Sequence, residues 1–191
     1  MKIQLRTLEN DVEKALFYAR SEKVYQDYMI REMDLGRAVA DAVKKNSLWM
    51  IRNRIRICME DLNGVLVYSD EKWIVFILEQ LLINGVKYKK EQDPMIRIRA
   101  ERESNGVTLY VWDNGVGIPE GEIPRVFDKG FTGSNGRRRE ASTGIGLYLC
   151  RKLCEKLGIS ISITSKEGEY TQAALYFPDG SSHFSGNLSK L

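Results

Sequence analysis

Hydrophobic positions change their period several times along the chain, and each change marks an element. In residues 2–22, Leu5, Leu8, Val12, Ala15 and Ala19 alternate steps of three and four. That spacing predicts a helix with a narrow bundle-type seam. A seam of this kind is not buried by its own helix, so it packs on another helix or another chain. Ser21–Asp34 is polar and mixed and reads as a connector. From about Leu35 the pattern becomes that of a compact domain of helices and strands.

Residues 36–50 read as a helix. Arg54–Glu60 alternates as a strand, and Val65–Ser69 follows the Asn63-Gly64 turn as a second strand. Residues 71–90 form a long helix. Met95–Glu103 and Val107–Trp112 are strands joined at Ser104-Asn105-Gly106, which predicts a hairpin. Residues 113–143 are Gly-rich and read as a long loop with one short helix near 121–126. A helix over 144–157 ends at Gly158, and Ile159–Thr164 and Gln172–Phe177 are the closing strands. The final residues, from 179 to 191, read as a disordered tail. A long loop between two Gly-rich segments is of the kind that serves as a functional lid.

Composition narrows the classes. The chain of 191 residues is 43% hydrophobic and 29% charged, enough apolar material for one medium domain with a real core. With 29 basic and 26 acidic residues the net charge is +3, too balanced for a nucleic-acid binder. A membrane-spanning helix takes about 20 apolar residues, and no such run is present. The N-terminus has no signal-peptide core. Cys58, Cys150 and Cys154 read as reduced thiols, and one histidine without a CxxC pair leaves little for zinc.

Chemistry gathers at four places. On the long helix, Gln80, Asn84 and Lys87, with Tyr88 following, interrupt an apolar face of Trp73, Phe76, Ile77 and Leu81. A polar stripe beside a buried one borders a cleft or a solvated edge. An Asn oxygen suits Mg²⁺, and a Lys one turn on meets phosphate. Asp113-Asn114-Gly115-Val116-Gly117-Ile118 follows a strand directly. A carboxylate there accepts from an exocyclic amine, and Gly115 and Gly117 admit close backbone approach. Phe127 and Phe131 flank Lys129 in the long loop, where two rings would pin a lid and Lys129, with Arg137–Arg139, would offset phosphate charge. Thr143-Gly144-Ile145-Gly146-Leu147 opens a helix, where free N–H groups hold phosphate. It is neither a Walker loop nor a Rossmann fingerprint.

In order and spacing, Asn84 in LLINGVKY, then DNGVGIP, FDKGF and TGIGLYL resemble the N, G1, F and G2 boxes of histidine kinases, within the GHKL ATPases of the Bergerat fold. The wording around them resembles the short-sensor kinases that respond to bacitracin-like peptide antibiotics, often beside an ABC transporter. The resemblance covers residues 36–178. It implies an α+β two-layer sandwich: a mixed, mostly antiparallel sheet covered by helices on one face, with an N-terminal helix. Residues 1–34 would be the second helix of a dimerisation hairpin with its connector, and 35–178 the ATP-binding domain.

The same resemblance implies roles. Asn84 would ligate Mg²⁺, Lys87 would contact phosphate, and Tyr88 would line the pocket. Asp113 would hold the adenine amino group, with Gly115, Gly117 and Ile118 shaping the base pocket. Thr143, Gly144, Ile145, Gly146 and Leu147 would meet the phosphates, with Lys129 toward the γ-phosphate. ATP and Mg²⁺ are the implied cofactors. A histidine-bearing hairpin and a response regulator receiver domain are the implied partners. The setting would be a cytoplasmic domain of a protein tethered to the bacterial plasma membrane.

Two departures matter. Hydrolytic members carry a glutamate base four residues before the Asn; here Gln80 stands there, and Glu79 points about 100° away around the helix. Secondly, the only histidine is His183, in the tail, so the phosphate acceptor is expected on a missing part of a longer kinase. A clamp-type GHKL ATPase, and an anti-sigma-like serine kinase or regulator, are the alternatives. Steady hydrolysis by the domain would mark the first, and label on a serine the second.

Overall fold

A computed structural model describes residues 28–138 and 143–180. The helix expected over 2–22 and the tail from 181 lie outside the described residues. The segment expected as a connector up to Asp34 ends in a strand, β1 (Arg31–Asp34). It pairs antiparallel with β3 (Leu66–Ser69), with Met33 opposite Val67, both buried. Four residues with a single inward apolar side chain give no periodic signal. The partner strand, distant in sequence, makes the element.

Helix α1 (Leu35–Arg52) starts where the Asp34 side chain accepts from Arg37 N at 3.0 Å. Leu35, Ala38, Val39, Ala42 and Met50 form its buried stripe. Helix α2 (Glu71–Lys87) is capped in the same way by Asp70, which also accepts from Met29 N at 3.0 Å. Its buried residues, Ile74, Val75, Ile77, Leu78, Leu81, Leu82 and Val86, cover about half of its circumference, and Gln80 widens the buried face further. It ends three residues before the expected 90. Helix α3 (Gly133–Arg138) is a short turn inside the region expected to be loop, and a 3-10 turn at Glu120–Arg125 matches the short helix foreseen there. Helix α4 (Gly146–Leu157) begins two residues later than expected and ends at Gly158, whose φ of 69° closes it in the left-handed conformation.

The main sheet runs β2 (Arg56–Glu60), β4 (Met95–Glu103), β5 (Gly106–Asp113), β7 (Tyr170–Pro178), β6 (Ser160–Lys166). Only β2 and β4 are parallel; β4–β5, β5–β7 and β6–β7 are antiparallel. Period-two alternation sends Ile96, Ile98, Leu109, Val111, Leu175 and Phe177 to the helical side, where all are buried. On the other side Arg97 lies 5.5 Å from the Trp112 ring and Arg99 5.8 Å from that of Tyr110. The sheet is therefore covered by helices on one face, as the resemblance implied. None of the three cysteines is in a disulfide, and burial pushes the Cys154 thiol up to about 12. No helix among the described residues is long and apolar enough to cross a membrane.

Candidate nucleotide site

The site is built around the C-terminal half of α2. Gln80, Asn84 and Lys87 stand on consecutive turns, and Tyr88 is the C-cap, its N–H donating to Asn84 O at 2.9 Å. The Lys87 ammonium lies 5.6 Å from the Tyr88 ring. Glu79 faces α1 and pairs with Lys45 at 2.8 Å, which takes it away from this stripe.

The strand-to-loop turn after β5 is fastened to α2. Asp113 ends the strand, and its Oδ1 accepts from Gly115 N at 2.8 Å. Val116 N donates to Tyr88 O at 2.9 Å. A Cβ on Gly115 would lie 2.5 Å from both Asp113 Oδ1 and Tyr88 O, so only glycine lets the turn come this close. Gly117 has φ of 67° and sits against the Lys166 carbonyl. Ile118 N donates to Ser165 Oγ at 2.8 Å, and that hydroxyl donates to Tyr170 O at 2.6 Å.

Burial pushes the Asp113 carboxyl up from 3.8 to about 7, against the opposing pull of the Gly115 N–H and the Lys90 ammonium. Its Oδ2 accepts no hydrogen bond among the described residues. A recessed carboxyl with one oxygen committed to the backbone and one left over is a receiver for an external N–H donor.

The third wall is the start of α4. Thr143 is exposed; Gly144 has φ of 63°, and its carbonyl accepts from Gly130 N at 3.1 Å. A Cβ on Gly144 would lie 2.6 Å from Phe131 O. Ile145 is the N-cap without a side-chain cap bond, and Gly146 opens the helix. Ile145 and Leu147 pack against the core from their partly buried positions. The Arg151 guanidinium lies 5.6 Å from the Phe127 ring, tying the loop to α4, while Arg125 lies 4.7 Å from Phe131 within the loop. Lys129 is exposed, one residue before the Gly130 contact.

The N, G1 and G2 segments thus enclose one region, and the F segment meets G2 through Gly130 and Gly144. Three contributors carried no recognisable signal in the sequence. Ser165 holds the turn from a distant hairpin. Gly85 lets α2 lie on β4 and β5; a Cβ there would be 2.8 Å from Ile96 Cδ1 and 3.6 Å from Asp113 Cβ. Glu122 accepts from Ser134 N at 2.9 Å and fixes the base of the loop.

A recessed carboxyl acceptor, glycine-lined close approaches and an uncapped helix N-terminus define an ATP-binding module of the GHKL kind. The family described as histidine kinase-, DNA gyrase B-, and HSP90-like ATPase matches residues 69–181, and the chain belongs to it. Among curated proteins it is 32% identical over 177 residues to the sensor histidine kinase YxdK of Bacillus subtilis, covering 93% of this chain and 54% of that one. It is 34% identical over 167 residues to the sensor protein BceS of the same organism, covering 87% and 49%. The chain spans about half the length of these relatives. Its fold matches histidine kinase ThkA in a solved complex with response regulator protein TrrA, with a TM-score of 0.73 at 22% identity over 95% of this chain and 50% of that one. The resemblance stated from the four boxes is borne out.

Proposed function

We propose that this chain is the catalytic part of a sensor histidine kinase, transferring the γ-phosphoryl of Mg²⁺-bound ATP to a histidine on a separate helical hairpin. Asp113 Oδ2 receives the adenine amino group, and Gly115, Gly117 and Ile118 form the floor under the base beside Tyr88. Asn84 offers an oxygen to Mg²⁺, which when bound spreads the charge of the phosphate oxygens. Lys87, Lys129 and the N–H groups from Gly144 to Leu147 neutralise and orient the phosphates. In the transfer the unprotonated nitrogen of the acceptor imidazole forms a bond to Pγ as the bond from Pγ to the oxygen of ADP breaks, and the proton on the other ring nitrogen is released to solvent. A response regulator receiver domain would take the phosphoryl next. The whole protein would be tethered to the plasma membrane, with an ABC transporter as a further partner.

The observation that carries this reading is Gln80 on the cleft stripe, with Glu79 turned to Lys45. The described stripe therefore has no carboxylate placed to activate water, which favours transfer to another group over hydrolysis. The test is to mix the chain with a separate acceptor-histidine hairpin and labelled ATP. Label on the histidine is expected. Steady release of free phosphate without labelled hairpin would favour the clamp-type ATPase, and label on a serine the anti-sigma-like kinase.

A further inference from the structure

Gln80 is 3% exposed and sits one turn before Asn84. Its Nε2 is closed off from solvent and finds no hydrogen-bond partner among the described residues. Folded interiors satisfy nearly all such donors, because leaving one unpaired forfeits its hydration for nothing. Its Oε1 reaches toward the first turn of α4, 3.2 Å from the place a Cβ on Gly146 would take. That turn has its own unmet donors: the first N–H groups of a helix lack intrahelical acceptors, and Ile145 supplies no side-chain cap. The buried Gln80 amide on α2 and the half-buried first turn of α4 thus border one another. An apolar side chain of equal length would fill this position without the unpaired amide. A carboxylate here would set a negative charge against any anion held by α4.

We infer that Gln80 is a positioning residue that links anion occupancy of the α4 N-terminus to α2, at the expense of the empty fold. Without ligand its amide donor is stranded. An oligophosphate oxygen at the α4 N-terminus supplies the missing acceptor, and Oε1 keeps Gly146 at the spacing that lets both helices reach it. This rests on the nucleotide reading above and deepens it. It predicts that affinity and ligand-free stability oppose each other at this single position.

The experiment compares wild type, Gln80→Met and Gln80→Asn by thermal unfolding and by titration calorimetry, with Mg²⁺-ATP and with tripolyphosphate, which has no base. Gln80→Met keeps length and removes the stranded donor. It is expected to melt about 3 °C higher than wild type without ligand and to bind ATP about tenfold more weakly. Gln80→Asn keeps the amide but is too short to span to Gly146. It is expected to lose affinity to a similar extent without the gain in melting temperature. Tripolyphosphate is expected to raise the melting temperature of wild type more than that of Gln80→Met. Wild-type affinity in Gln80→Met overturns the inference, as does an equal or lower melting temperature without ligand. An equal response of the two proteins to tripolyphosphate also overturns it. If wild type itself binds neither ATP nor tripolyphosphate, the nucleotide reading fails and takes this inference with it.

Discussion

Asp113 offers a perturbation whose sign and size follow from its surroundings. Burial lifts its carboxyl from 3.8 to about 7. Below pH 4 the folded and unfolded chains both hold the proton. Between about pH 4 and 7 the unfolded chain releases it and the folded chain keeps it, so stability falls as pH rises through that window. Above about 7 both are ionised and the loss is constant, on the order of 4 kcal/mol before relaxation around the charge reduces it. Asp113→Asn keeps the Oδ1 acceptor for Gly115 N and removes the ionisation. The variant is expected to match wild type near pH 4 and to be more stable at pH 8, by about 2 kcal/mol or roughly 5 °C in melting temperature. The same substitution turns an amide N–H₂ toward the place of the adenine amino group, so ATP affinity at pH 8 is expected to drop at least about a hundredfold. In wild type, affinity is expected to weaken as pH falls below 7, because the accepting carboxylate becomes protonated. Calorimetric titration and thermal melts across pH 4–8 read both effects. A variant less stable than wild type at pH 8, or a stability difference that does not change with pH, would refute the reasoning.

Other substitutions separate the parts of the site. Asn84→Ala is expected to reduce Mg²⁺-dependent ATP binding at least about tenfold while moving the melting temperature little, since the residue is partly exposed; calorimetry with and without Mg²⁺ reads it. Gly117→Ala puts a Cβ against the Lys166 carbonyl at a φ of 67° and is expected to destabilise by about 2–3 kcal/mol, measured by urea unfolding. Ser165→Ala strips the acceptor from Ile118 N and is expected to cost about 1–2 kcal/mol, with faster amide exchange at Ile118 than in wild type.

The reaction proposed here requires a histidine acceptor. Supplying that acceptor as a separate hairpin tests the chemistry independently of the binding site.

Much of the architecture was legible because it is local. The α2 pattern, the β4–β5 hairpin at Ser104-Asn105-Gly106 and the Gly158 stop depend on residues a few positions apart, so period and turn chemistry define them. The four boxes were legible for a related reason: glycines at close approaches and a carboxylate at a strand end announce themselves by residue type. The sequence by itself therefore determined the class of the domain, the order of its main elements and which residue types are candidates to face a ligand. Tertiary structure decided what depends on partners far along the chain. Strand β1 exists because β3, some 35 residues away, supplies its ladder. Ser165 enters the site because the β6–β7 hairpin is folded under Ile118. Asp113 becomes a carboxyl of about 7, and Gln80 a stranded donor, only after α2, β5 and α4 close around them and exclude water. Residue type names a group's chemistry; its surroundings set what that chemistry costs and what it will bind.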